Sequence, residues 1–190
     1  GDGLADLVVG ASGTDAGTAY VVYGKATPEP FALGLLDGGL DGGFAILGPS
    51  ASTGAANSVA GVGDVNGDGL ADVAIDARGV ATQYAYVVFG KRDTATVSVD
   101  TLAGLGFAIG DGTSVGDGPV LAGAGDVNGD GLADLLIGKD DADPSLAGAA
   151  YVVFGKASDT PVDLAAIRAG SAGGFAIQGG DDFDNAGRSV

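Results

Sequence analysis

The chain has no cysteine, methionine, tryptophan or histidine, and Glu29 is its single glutamate. Lack of cysteine excludes disulfides and thiolate metal sites, and leaves the compartment open. With neither histidine nor cysteine there is no near-neutral general base and no thiol nucleophile, and serine occurs without a catalytic partner pattern. Only carboxylates remain for chemistry, either paired as in glycoside hydrolysis or gathered round a metal; the expectation is that the chain is not an enzyme. No stretch approaches the roughly 18 apolar residues needed to span a bilayer, and no basic start followed by an apolar run marks a signal peptide. Gly1 in place of methionine reads as a processed chain or an excised part of something longer. Basic residues are also scarce, 8 Lys and Arg against 25 acidic residues, for a formal charge of −17. Such a field repels phosphate backbones and anionic lipid, so neither nucleic acid nor membrane insertion is expected.

What is abundant is glycine, 38 of 190 residues, together with aspartate, while hydrophobic residues still reach 46%. That is enough apolar material to bury a core, so the chain should be globular, turn-rich and β rather than a disordered linker. Acidity carried by Asp instead of Glu belongs to turns and short-armed ligation rather than to solvated helices.

The aspartates are patterned. DVNGDGLAD runs from Asp64 to Asp72 and again from Asp126 to Asp134, and its last six residues, GDGLAD, occupy Gly1 to Asp6. Oxygen-bearing side chains fall at positions 1, 3, 5 and 9, namely Asp64, Asn66, Asp68 and Asp72, then Asp126, Asn128, Asp130 and Asp134. A tightly curled loop aims such a series at one centre, and with the position-7 backbone carbonyls of Leu70 and Leu132 it makes a hard-cation site suited to Ca2+. Gly69 and Gly131 at position 6 permit the sharp turn. A plain β-turn rich in Asn-Gly and Asp-Gly is the bland alternative, although a turn does not require four fixed Asp or Asn positions. The start of the motif matches the helix-flanked EF-hand loop, but that loop needs Glu at position 12, where Ile75 and Ile137 stand here. The acid at position 9 must carry more of the coordination, and the apolar runs that follow are β-prone, which places the loop in a β-hairpin. The first copy keeps Asp2, Leu4 and Asp6 and lacks the first two ligands.

The rest of the chain repeats around these loops. YVVYGK at Tyr20 to Lys25 returns as YVVFGK at Tyr86 to Lys91 and Tyr151 to Lys156, and GFAI occurs at Gly43, Gly106 and Gly174. A period near 60 residues with four β-like runs points to propeller blades. In the middle unit the strands are expected at Ser58 to Gly63, Val73 to Ala77, Tyr84 to Gly90 and around Phe107 to Ile109, with both faces of the third wanting burial. A helical turn is expected at Asp163 to Ala169. The fold class is therefore all-β, about three four-stranded antiparallel units: residues 1–48 lacking a first strand, 58–110, 119–178, and 183–190 as the start of a further first strand. An ordinary β-sandwich is the alternative, and it leaves the repeated order unexplained.

This order of acidic loop, short apolar strand, YVVFGK and GFAI resembles the FG-GAP repeats of integrin α-chain β-propellers, especially those of bacterial integrin-α-like proteins. The family's FG...SVA lead-in is echoed by Phe183, Gly187, Ser189 and Val190, and its Gly-Ala-Pro by Gly10, Ala11 and Ser12. The resemblance implies seven blades, structural calcium in the hairpin loops, a location outside the cell or on its surface, and adhesion or ligand binding to a protein or glycan. Three units alone leave apolar faces open at either end, so further blades, a partner or self-association are expected. A carbohydrate-binding propeller is the second functional expectation, with Phe31, Tyr84 and Phe183 as the aromatics available for sugar stacking. Acidic clusters at Asp140, Asp141 and Asp143 and at Asp181, Asp182 and Asp184 read as solvated turns or a second cation site.

Overall fold

The computed structural model describes residues 3–13, 16–39, 42–50, 52, 54–77, 85–111, 118–139, 147–181 and 184–190. In chain order its strands are β1 (Leu7–Ala11), β2 (Thr18–Val22), β3 (Gly43–Leu47), β4 (Val59–Gly63), β5 (Asp72–Asp76), β6 (Ala85–Val88), β7 (Val97–Ser98), β8 (Gly106–Gly110), β9 (Val120–Gly125), β10 (Asp134–Lys139), β11 (Ala149–Val153), β12 (Val162–Asp163) and β13 (Gly174–Gln178). They form three sheets, ordered β1-β2-β3-β7, β4-β5-β6-β8-β12 and β9-β10-β11-β13. The chain is all-β.

The four runs expected in the middle unit are strands β4, β5, β6 and β8, paired antiparallel in succession. The third is shorter than its apolar run. After Val88 the chain leaves the ladder because the Phe89 N–H turns to the Leu105 carbonyl (2.8 Å) and the Gly90 N–H to the Asp72 carboxylate (2.7 Å). Tyr84 lies outside the described residues. The helical turn expected at Asp163 to Ala169 is α1 (Leu164–Arg168), with Asp163 as its cap, accepting from the Ala165 and Ala166 N–H groups.

Strands β7 and β12 were not expected. Each is a two-residue segment that leaves its own sheet and pairs in parallel with the last strand of the sheet before it, Val97 opposite Ile46 and Val162 opposite Ile109. The sheets are thereby tied outer edge to outer edge as well as stacked.

Burial explains the sequence pattern of the third strand. All four residues of β6 are buried. Tyr86 and Val88 enter a core with Val21, Phe44 and Ile46 of the first sheet. Ala85 and Val87 enter another with Leu135, Ile137 and Tyr151 of the third. The middle sheet thus has no wet face, so its strand reads as a continuous apolar run. Between sheets the closest strand approaches are of β1 with β4, and of β4 and β5 with β9, all near the first-strand edge where the acidic loops hang.

Candidate metal centre

Each complete acidic loop joins the first two strands of its sheet, β4 to β5 and β9 to β10, across a register shift at the strand ends. Within the first loop the Asp64 carboxylate is held by three backbone N–H groups. Gly67 and Asp68 donate to Oδ1 at 2.7 and 3.1 Å, and Gly69 donates to Oδ2 at 2.9 Å. Asn66 Oδ1 accepts the Asp68 N–H at 2.9 Å, its Nδ2 donates to Asp68 Oδ2 at 2.9 Å, and the Leu70 N–H donates to Asp68 Oδ1 at 2.8 Å. The second loop repeats the pattern. Asp126 accepts from Gly129, Asp130 and Gly131 at 2.7, 3.1 and 3.0 Å. Asn128 and Asp130 then make the same three bonds, the last from the Leu132 N–H. The turn requires φ of +84° at Gly69 and +91° at Gly131, a region where a Cβ is strained.

Position 9 does something the sequence reading missed. Asp72 and Asp134 are fully buried. Asp72 Oδ2 accepts the Val65 N–H at 2.8 Å and its Oδ1 the Gly90 N–H at 2.7 Å. Asp134 does the same with Val127 (2.7 Å) and Gly155 (2.9 Å), and Asp6 Oδ1 takes the Gly24 N–H (2.9 Å). The acid therefore brackets the start of its own loop to the Gly of YVVFGK. Side chains are excluded there, because a Cβ on Gly90 would stand 2.5 Å from the Ala71 carbonyl oxygen. The available signal was spacing: Asp and Gly lie 18, 18 and 21 residues apart in the three units. Burial pushes the Asp72 carboxyl up, against the two backbone N–H groups that favour its charged form, and the nearby Asp68 and Asp64 charges push it further, to about 6.

The loops also touch one another. The Ala133 N–H, one residue before Asp134, donates to the Asp64 carbonyl at 2.9 Å, and the Leu132 side chain lies over Gly67. Val65 is buried beneath this contact.

Among the described residues, no group of three or more acidic, His or Cys side chains converges on a cation-sized centre. The oxygens instead face backbone N–H groups. Whether the loop chemistry suits calcium turns on what those bonds leave over. A carboxylate offers about four lone-pair sites. Asp64 accepts three N–H groups and Asp68 and Asp72 two donors each, so each keeps acceptor capacity, as does the Leu70 carbonyl with its two lone pairs. Every donor is oxygen, as calcium prefers. The residues fit.

The other candidates divide. Leu4 and Asp6 of the first copy are placed, Leu4 exposed, whereas Asp2 lies outside the described residues. So do Phe183, Tyr84, Asp140, Asp141, Asp143 and Asp182. Phe31 is half-buried, with the Lys25 Nζ 5.5 Å from its ring centroid. Asp184 closes a surface turn, its Oδ2 accepting the Gly180 and Asp181 N–H groups at 2.9 Å each. No helix among the described residues is long and apolar enough to cross a membrane. No family model matches the chain, and no curated protein matches it.

Proposed function

We propose that the chain is a calcium-stabilised segment of an FG-GAP-like β-propeller, working at the cell surface or outside the cell in binding, adhesion or assembly. The observation that carries the reading is the coincidence of two repeats: sheets of one strand order meeting at their first-strand edges, and acidic hairpin loops of one hydrogen-bond pattern at that same edge. Asp64, Asn66, Asp68, Asp72 and the Leu70 carbonyl would hold one ion, and Asp126, Asn128, Asp130, Asp134 and the Leu132 carbonyl the other. The ion's role is structural: two positive charges offset clustered aspartates and lock the hairpin. Two filled sites would bring the formal charge from −17 to −13, still far from what a phosphate backbone tolerates.

Extracellular modules of this kind bind calcium at about 0.1 to 1 mM, and a twenty-fold excess over Kd adds about 2 kcal/mol per site by mass action. Calorimetric titration of the full chain is expected to give two ions per chain, and Asp68→Ala one, with the loop at Asp126 still binding. A variant that takes up as many ions as the parent removes Asp68 from the ligand set, and a parent that takes up none ends the calcium reading.

A further inference from the structure

We propose that the ion pair between Lys139 and Asp111 is a packing key, one that admits a single seating of the third sheet on the second and contributes little to the stability of that seating. Lys139 is the last residue of β10 and Asp111 the first after β8, so the pair joins two sheets at the strand ends away from the acidic loops. Lys139 Nζ lies 3.2 Å from Asp111 Oδ2, and the two side chains keep only 8% and 13% of their surface exposed. Lys139 alternates with Leu135 and Ile137 and so points toward the second sheet, while Asp111 alternates with Phe107 and Ile109 and points toward the third. Each partner thus continues a row that is otherwise apolar. Tyr151 lies within reach of the same place. Burial pushes its phenol up, with the Arg168 and Lys139 charges acting to lower it and the Asp111 charge to raise it.

The pair belongs to this junction alone among the described residues. The strand registers make Ala11 and Ala77 the equivalents of Lys139, and Gly48 and Gly179 those of Asp111. Both partners therefore depart from the repeat, and the two departures meet. The junction between the first and second sheets holds without them, its core joining Phe44 and Ile46 to Val73, Ile75 and Ala77.

Stability alone does not ask for charges here. Two ions taken out of water lose about what their attraction returns, and an apolar pair of similar volume is often as stable or more so. What the pair has and methyl groups lack is direction. Apolar contact is non-directional, and sliding β10 by two residues returns apolar side chains to the same face. The same slide, about 7 Å, carries Lys139 away from Asp111 and buries two charges apart. Seated instead on the face of the first sheet that carries Phe44 and Ile46, Lys139 would meet Gly48, which has no side chain to receive it. Misassembly is the characteristic failure of repeat proteins, and both of these errors are excluded by one ion pair.

The test is a double-mutant cycle on the full chain, read by denaturant unfolding and by the isoleucine methyl spectrum. Lys139→Met keeps the buried stem and removes the charge, and Asp111→Ala removes the other charge. Each alone leaves one ion of the pair in the junction and should lower the folding equilibrium constant on the order of a hundredfold. The double variant should return to within about tenfold of the parent. Its methyl spectrum carries the rest of the proposal. Ile109 and Ile137, expected as single signals in the parent, should split or broaden in the double variant, while Ile46 and Ile75 at the other junction stay single. A double variant that loses as much as the two single variants together makes the pair a source of stability and overturns the proposal. One that regains stability yet keeps single sharp signals for Ile109 and Ile137 overturns it as well, because apolar contact then suffices to fix the seating. Single variants as stable as the parent remove the pair from the junction altogether.

Discussion

Asp72 and Asp68 lie in one loop and are both read as ligands, yet their surroundings separate them. Asp72 is buried with two backbone N–H groups on its oxygens, while Asp68 is exposed at the loop tip. In chelator, Asp72→Ala strands the Val65 and Gly90 N–H groups away from water, and is expected to cost about 3 kcal/mol in chemical denaturation. Asp68→Ala under the same conditions should cost under about 1 kcal/mol, its effect appearing only when calcium is added. Equal losses for the two in chelator would show that the bracket to Gly90 contributes nothing. Glycine allows a second comparison. A Cβ at Gly90 meets the Ala71 carbonyl oxygen at 2.5 Å and the Leu70 Cβ at 2.8 Å, whereas one at Gly61 meets nothing within 4 Å. Gly90→Ala should therefore destabilise by about 2 kcal/mol, while Gly61→Ala stays within about 0.5 kcal/mol of the parent. At this scale the acidic loop was legible because its pattern is local, all within nine residues. The bracket was not, since its partners lie 18 residues apart and meet only once β5 and β6 have paired.

Among the elements, the ladders of β2 with β3, β6 with β8 and β11 with β13 announced themselves through YVVFGK and its variant YVVYGK paired with GFAI. The straps did not. A two-residue strand has no period to read, and β7 and β12 hydrogen-bond to a sheet other than the one their neighbours in sequence belong to. Their anchoring is nonetheless physical and testable. After β12 the chain turns at Asp163, whose Oδ1 accepts the Ala165 N–H at 2.8 Å and the Ala166 N–H at 3.3 Å, and α1 then buries Leu164 and Ile167 in the core between the second and third sheets. After β7 the cap is weaker, a single contact from the Asp100 N–H to Ser98 Oγ at 3.4 Å. Asp163→Ala is therefore expected to lower stability by about 1 kcal/mol, and Ser98→Ala by clearly less, in paired thermal or denaturant melts. Equal effects would mean that the cap of α1 does not hold the strap.

For the molecule as a whole, one four-residue sequence occurs three times in two environments. GFAI forms the last long strand of each sheet, and the pattern alone makes its Phe and Ile core residues in every copy. Phe44 with Ile46 and Phe107 with Ile109 are buried because a sheet follows each, and Phe175 with Ile177 are exposed because no described sheet follows the third. The repeat was legible in the sequence, and so was the expectation of open faces at its ends; which residues of each strand point forward and which backward required the registers. The difference turns identical substitutions into a probe of the stack. Ile109→Ala removes side-chain atoms packed against the third sheet and should cost about 3 kcal/mol at any protein concentration. Ile177→Ala truncates the same residue on an open face, and at dilution should cost less than about 1 kcal/mol. Denaturant melts of the two variants side by side read the difference directly, and equal penalties would mean that burial between the second and third sheets does not set the cost at Ile109.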